Sequence, residues 1–316
     1  MPTTTSITTT YAGESAGKYI AAALLTANTI ENGGVTVLPN VKYRTTMKKV
    51  TSDNIMANAS CDFAATSNIA LTERTLQPKE LQVNIQFCKQ DFASDWDAIS
   101  MGYSAYDNLP PSFQQFIIAH FISKIAQANE ISLWQGATGV GGQYNGIGTE
   151  ITAGLATIPA SQKITAIGGG INAGNVIAEL GKVVDAIPTA LYGNEGLKIY
   201  APQQVIRAYV RALGGFTAGI GAAGLNNQGT TWYTGNANAL TFDGVPLFQA
   251  NGLPNNKMVA TTSDNLYFAT GLENDANEIR LIDMSPLDGS QNVRFIARFT
   301  GAANVGILED LTVYGY

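Results

Sequence analysis

Few side chains in this sequence have the chemistry of a reactive or metal-binding site. There is one histidine, His120, and there are two cysteines, Cys61 and Cys88, in 316 residues. Neither cysteine belongs to a Cys-x-x-Cys pair, and one imidazole with two separated thiols cannot make a zinc site of ordinary ligand spacing. Two isolated thiols fit a reducing compartment better than a disulfide scaffold. His120 falls on the apolar side of a helical pattern, so a packed, hydrogen-bonded imidazole is the plain reading. A Ser-His-Asp hydrolase would have to use it, and a nucleophile elbow is not expected.

Other patterns fail on context. Gly219, Gly221 and Gly224 match G-x-G-x-x-G, with Asp243 19 residues later. A dinucleotide loop follows a strand and opens a helix, so that helix N-terminal amides hold the pyrophosphate. Here a helical pattern precedes the glycines and a Gly/Asn-rich stretch follows, so a loop is expected. Glu273 to Glu278 place oxygen ligands at alternate positions, but a calcium loop would need glycine at 278 and a bidentate glutamate six residues on. A turn between strands is expected instead. Asp95/Asp97 and Glu309/Asp310 are adjacent acids read as solvated faces. No catalytic residue, metal or cofactor is expected, and the chain is read as not an enzyme.

One charged cluster stands out. Lys42, Arg44, Lys48 and Lys49 put four cations into eight residues. Nucleic acid would be one partner, but Tyr43 is the only interleaved aromatic and the net charge is −6, so the cluster reads better as a contact with an acidic patch on another copy of the chain. Only 13% of residues are charged, about half the usual ~25%. Asn (25) and Thr (31) are abundant instead, and they tolerate burial against a neighbour better than Lys or Glu. Large obligate interfaces are depleted in charge in the same way. Hydrophobic residues make up 45%, which excludes a chain without a core. The longest apolar run, Tyr19–Leu25, is seven residues, far short of the ~20 that a membrane helix needs. Apart from Lys18, the stretch ahead of it is neutral Thr/Ser rather than Lys/Arg, and the run reads as part of the mature chain rather than a signal peptide.

The elements that would position these residues are of three kinds. Residues 1–10 are Thr-rich, without an apolar face, and would need another chain to hold them. Val35, Val37 and Val41 alternate like a strand, and Leu71 to Phe87 read as a returning strand with Pro78 near its start. Together they suggest a long polar two-stranded arm, marginal by itself. Pro110-Pro111, Ser112 as N-cap and Gly136 as stop bracket a helix over 112–135, with Phe113, Phe116, Ile117, Phe121 and Ile125 as its apolar stripe. Residues 136–170 read as irregular, and 172–213 as helix, strand, helix. The segment 214–238 reads as a Gly/Asn loop, followed by strands at 239–249 (with an Asp243-Gly244 turn), 257–262, 265–270, 278–284, 292–300 and 307–314. This is an α+β order with antiparallel strands after the helices.

The order of features, and above all the C-terminal stretches DNLYFATGLEND (264–275) and EIRLIDMSPLDGSQNVRFIARFTGAANVGILEDLTVYG (278–315), resembles the Hong Kong 97-type major capsid protein of tailed phages. The resemblance covers nearly the whole chain but is one of element order. It implies a Hong Kong 97-like fold with an N-terminal arm (1–34), an extended E-loop hairpin and its base (35–90), a peripheral domain with a long spine helix (91–159), an axial domain (160–284) and a return to the peripheral domain (285–316). It implies a protein that self-assembles through pentamers and hexamers into an icosahedral shell around viral double-stranded DNA, assembled in the host cytoplasm and located in the virion. Portal, scaffolding and cement proteins would be partners, contact with DNA would be weak and non-specific, and no membrane would be involved. Lys42, Arg44, Lys48 and Lys49 would lie at subunit interfaces, and the five stripe residues would form the spine-helix core. No long charged N-terminal helix of the kind some members use as a removable scaffolding segment is read here, so a scaffold is expected to be a separate protein. Within the same fold the rival reading is an encapsulin-type compartment; outside it, an extracellular β-rich adhesin or surface-layer protein.

Overall fold

The computed structural model describes residues 27–41, 43–52, 56, 58, 68–88, 111–213, 240–271 and 278–316, with the backbone alone for 111–116 and 278–279. The 1–10 arm, Lys42, Cys61, Asp95/Asp97, the glycine pattern at 219–224 and most of 273–278 lie outside the described residues, as do the side chains of Ser112, Phe113 and Phe116.

The strands are β1 (Thr36–Leu38), β2 (Thr45–Ser52), β3 (Ile69–Leu76), β4 (Lys79–Cys88), β5 (Lys163–Ile164), β6 (Leu197–Ala201), β7 (Thr241–Phe242), β8 (Val245–Gln249), β9 (Met258–Thr262), β10 (Leu266–Ala269), β11 (Glu278–Asp283), β12 (Asn292–Val305) and β13 (Thr312–Tyr314). The helices are α1 (Pro111–Gln135), α2 (Ile147–Ala153), α3 (Val176–Asp185), α4 (Gln203–Leu213) and the single turn α5 (Ser285–Asp288).

A six-stranded sheet in the order β5-β13-β9-β6-β8-β7 forms the centre. Its strands are buried on both faces because alternate residues serve two cores. Ile199, Met258, Ala260 and Leu247 pack with Val176, Leu180, Val183, Val205, Ile206 and Tyr209 of α3 and α4. Tyr200, Phe248, Val259 and Val313 point the other way, to Leu133 and Trp134 of α1, Ile147 and Ile151 of α2, and Leu266 and Val305. Tyr314 ties β13 to α3 by donating its hydroxyl to Glu179 Oε2 at 2.8 Å.

A five-stranded sheet lies beside it, with β12 as its axis. The first ten residues of β12 pair with β4, from Asn292↔Cys88 to Gly301↔Lys79. Its other edge pairs with β11, its end with β10, and β10 pairs in parallel with β1. Val293, Phe295 and Ala297 are buried while Arg294 and Arg298 are exposed, the alternation of a sheet with one covered face. The cover is α1: Ile117 packs with Phe87 and Val293, and Phe121 sits 4.8 Å from Phe295, ring centre to ring centre. At about 37 Å, α1 starts on this sheet and ends in the central core. The strands β2 and β3 form a separate two-stranded hairpin.

Several boundaries depart from the sequence reading. The returning strand breaks at Gln77-Pro78, so β3 stays with the hairpin and β4 joins β12. Pro78 has no N–H for a ladder, which accounts for the break. Only 36–38 of the Val35–Val41 segment is strand, and it pairs with β10 rather than with the hairpin. Residues 136–170 contain α2, whose seven residues are too few to show a period, although Ile147 and Ile151 are fully buried. Helix α3 starts at Val176, not Asn172, because Asn175 Oδ1 accepts the Asn172 N–H at 2.8 Å and holds 172–175 as a turn. Three strand pairs are parallel (β1–β10, β5–β13, β6–β8), an arrangement the sequence reading, with its antiparallel strands after the helices, did not include. The Asp243-Gly244 turn joins β7 to β8 with φ of 46° and 79°, as a type I′ turn requires.

Candidate assembly surface

The hairpin β2–β3 shows two different faces. Along β2, burial alternates strictly. Thr45, Met47, Lys49 and Thr51 and their cross-strand partners Leu76, Arg74, Thr72 and Ala70 form one face. Thr46, Lys48, Val50 and Ser52, opposite Thr75, Glu73, Leu71 and Ile69, form the other.

At the base, the first face is fastened to the body. Leu76 is 1% exposed, packed with Val41, Ala269 and Ala302. Asn304 Nδ2 donates to Thr75 O at 2.8 Å. Arg74 Nη2 pairs with Glu150 Oε2 at 3.1 Å, and Asn145 Nδ2 donates to the other oxygen of that carboxylate at 3.1 Å. Lys49 Nζ pairs with Glu309 Oε1 at 2.9 Å. Between hairpin and body lies a cavity of about 450 Å³, lined by Lys49, Arg74, Asp264, Asn265, Glu309 and Asp310 among others. Burial alone would raise the Glu309 carboxyl, but the hydrogen bond and charge of Lys49 outweigh it and hold the acid below its usual range. Asp310 goes up instead, because burial and the Glu309 charge exceed the pull of Lys49. The pair Glu309/Asp310 is therefore not the freely solvated face that the sequence suggested.

Toward the tip, the second face carries bare apolar side chains. Val50 is 64% exposed, Ile69 68% and Leu71 70%. Val50 and Leu71 stand directly opposite each other, so the patch is contiguous, and no residue of the described chain covers it.

A second polar junction, among the described residues, is internal. Glu130 on α1 is 1% exposed. It accepts the Thr29 hydroxyl, the Thr29 N–H at 3.3 Å and the Gly252 N–H at 3.3 Å. Trp134 Nε1 donates to Thr29 Oγ1 at 3.0 Å. Gly252 is required here, since a Cβ would collide with the Glu130 carbonyl. Asn28 adds a bond from Nδ2 to Gln249 O at 2.5 Å. Residues 28–34 are thus fixed at a crossing of α1, β6 and the 249–253 turn. Burial raises the Glu130 carboxyl above its usual range against the pull of these donors. Glu130 was not singled out from the sequence. The available signal was a lone acid four residues before Trp134 and three before Leu133, on the side of the helix that becomes fully buried.

No protein-family model and no curated protein sequence matches this chain. Solved structures do. The capsid of a native GTA particle superposes with a TM-score of 0.61 at 13% identity, over 94% of this chain and 92% of that one. Mycobacterium phage Adephagia gives 0.57 at 12%, over 91% and 86%, and the capsid of the cyanophage P-SCSP1u gives 0.57 at 10%, over 93% and 89%. The fold is similar to that of phage and GTA capsids. It is reached here with a sequence that shares about one residue in eight with the first of these.

Within this fold, the expected site residues are placed as follows. Arg44 and Lys48 are exposed, Arg44 just ahead of β2 and Lys48 on the outward face of the hairpin. Lys49 faces the body and has its acidic partner, Glu309, in its own chain. Ile117 is buried, and Phe121 and Ile125 are half-buried. His120 is half-buried, with its ring 5.9 Å from that of Phe121. Cys88 is a free thiol at the end of β4. Contrary to expectation, one Gly-x-Ser-x-Gly match does occur, Gly13 to Gly17, and it lies outside the described residues. Among the described residues no cluster of His, Cys, Asp or Glu is arranged to hold a metal ion, and no helix is long and apolar enough to cross a membrane.

Proposed function

We propose that this chain is the major capsid protein of a tailed phage or a phage-like particle, assembling through pentamers and hexamers into an icosahedral shell that encloses double-stranded DNA. The observation that carries the proposal is the bare apolar patch Val50, Ile69 and Leu71 on a hairpin fastened to its own body only at the base. A two-stranded hairpin is marginal alone, and an exposed apolar patch in a chain of this fold is completed by a neighbour. The hairpin then acts as the E-loop within 35–90, α1 as the spine helix of a peripheral domain (91–159), residues 160–284 as the axial domain, 285–316 as the return, and 1–34 as the arm. Arg44 and Lys48 supply interface charge. Ile117, Phe121 and Ile125, with Phe113 and Phe116, form the core under the spine helix. Assembly is driven by buried area at roughly 25 cal/mol per Å², less the entropy of ordering each copy. The reading includes separate portal, scaffolding and cement proteins, assembly in the host cytoplasm, location in the virion, weak contact with DNA and no catalytic step.

The test is expression of the full chain, light scattering after size exclusion, and negative-stain microscopy. Capsomers or closed shells that are lost on replacing Val50, Ile69 and Leu71 by serine, with the monomer still folded, are the expected result. A wild-type monomer at high concentration overturns the proposal. Shells carrying a co-purified enzyme would indicate a protein compartment instead.

A further inference from the structure

Helix α4 has one feature that packing does not use. Its apolar residues Val205, Ile206, Ala208 and Tyr209 are buried, while Gln203, Arg207 and Arg211 are exposed at a spacing of four residues. These three form one stripe along the helix. The stripe borders a groove of about 490 Å³ whose other polar walls are Gln204, Asn172 and Asn255, with no acidic residue among those lining it. Neither arginine has an ion-pair partner among the described residues. The amides are partly committed: Gln204 Nε2 donates to Ile171 O at 3.0 Å, and Asn172 Oδ1 accepts the Gly174 N–H at 2.9 Å.

An acid-free groove with two unpaired arginines is unusual in a chain with 24 acidic and 18 basic residues. The arginines of the open sheet face are placed differently. Arg294 donates to Gln86 Oε1 at 3.0 Å, and Arg298 stands opposite Glu278. Arg211, in the last turn of α4, complements the helix dipole. That role does not extend to Arg207, in the middle of the helix.

From this placement we infer that the Arg207–Arg211 groove is a phosphate-binding site whose ligand is the backbone of DNA. Guanidinium forks match phosphate oxygens bidentately. Four residues of helix rise about 6 Å, and one DNA strand offers a phosphate about every 3.4 Å of axis. Because the strand winds about that axis, successive phosphates lie farther apart than their axial rise, so the two arginines meet neighbouring phosphates of one strand, without reading bases. The inference rests on the proposed shell function, in which it gives the low-charge wall a discrete contact with its contents.

The experiment compares the full-length wild type with R207Q, with R207Q/R211Q and with the control R294Q/R298Q, which removes equal charge elsewhere. Binding of a labelled 20-base-pair duplex is followed by fluorescence anisotropy across a salt series, and binding of inorganic phosphate by 31P line broadening. The expected result is a loss of about tenfold in duplex affinity for R207Q/R211Q at low salt. The slope of log affinity on log salt should also become shallower by about 1.8, the value for two phosphate contacts. R207Q alone should give about half of that slope change, and the control should retain wild-type binding. If phosphate binding is sensitive to R207Q/R211Q and duplex binding is not, the site takes the free anion and the DNA assignment fails. Equal losses in variant and control, or no loss in either, overturn the site itself. Microscopy of the same samples separates the two levels. Wild-type shells without Arg207-dependent binding defeat this inference alone, whereas absence of wild-type assembly defeats the shell function whatever the arginines bind.

Discussion

The Glu130 junction and the β2–β3 hairpin handle polar and apolar groups in opposite ways. At the junction, a buried carboxylate is met by three donors from two distant segments, and Trp134 both fills the core and donates to Thr29. In the hairpin, ion pairs at the base keep partial contact with water, with Lys49 and Glu309 side chains 25% and 41% exposed, while the apolar side chains Val50, Ile69 and Leu71 toward the tip are left mostly exposed by the described residues. A buried polar group persists only where it is satisfied. A contiguous exposed apolar patch persists only where something else covers it. The junction is thus complete within one copy, whereas the described residues leave the hairpin's second face open.

The sharpest way to break the first half of this contrast is Trp134→Ala. Trp134 is fully buried, and the change removes the indole and the donor to Thr29 together. The expected cost is about 3–5 kcal/mol, read from denaturant unfolding. A cost below 1 kcal/mol would mean that residues 28–34 are not held by the core. Glu130→Ala comes next. It leaves the Thr29 and Gly252 N–H groups without an acceptor, at about 1–3 kcal/mol, and hydrogen exchange at Thr29 and Gly252 should rise together.

The sequence made the long helix legible because Pro110-Pro111 and Gly136 bracket a stretch, 112–135, that holds no proline or glycine; its apolar residues do not keep to one face, and Ile122 is exposed. It made β6, α4, β9 and the Asp243-Gly244 turn legible for similar local reasons. It did not show that β3 and β4 serve different sheets, because both carry alternating patterns and only Pro78 hints at the exchange. Parallel pairing of β1 with β10 joins residues more than 220 apart and leaves no local trace. The Glu130 junction was hidden for the same reason: its partners Thr29 and Gly252 lie 101 and 122 residues away. The basic cluster was visible, but that Lys49 turns inward to Glu309 while Lys48 turns outward follows from strand register, which composition does not carry.

Acidification should move the two regions in opposite directions. The folded-state carboxyl of Glu130 lies above its ordinary value near 4.5, so holding it ionised costs stability at neutral pH. That cost is relieved as pH falls through the raised value. The folded-state carboxyl of Glu309 lies below 4.5, so its contribution is present above pH 4.5 and lost as pH falls below it. The measurement is the difference in Tm between wild type and each neutral variant across pH 3–7. The gap to Glu130→Gln should shift in favour of wild type on acidification. The gap to Glu309→Gln should shrink toward zero, from no more than about 1 kcal/mol for a half-exposed pair. Parallel shifts would mean that the two acids share one environment.

The smallest expected effect on stability is also the most informative. Replacing Val50, Ile69 and Leu71 by serine removes side chains that are already 64–70% exposed, so each change should alter subunit stability by less than about 0.5 kcal/mol. Cross-strand pairing of Val50 with Leu71 contributes a few tenths more at most. If assembly relies on this face, the triple variant should unfold at nearly the wild-type denaturant midpoint while its sedimentation stays at the subunit. A large loss of subunit stability would instead show that the patch packs on its own chain, and the contrast between a completed junction and an uncompleted hairpin would fail. Arg44→Gln and Lys48→Gln refine the point. Loss of exposed charge should slow assembly and weaken its dependence on salt while leaving the final particle unchanged, because rim charges act on association rate more than on the closed state.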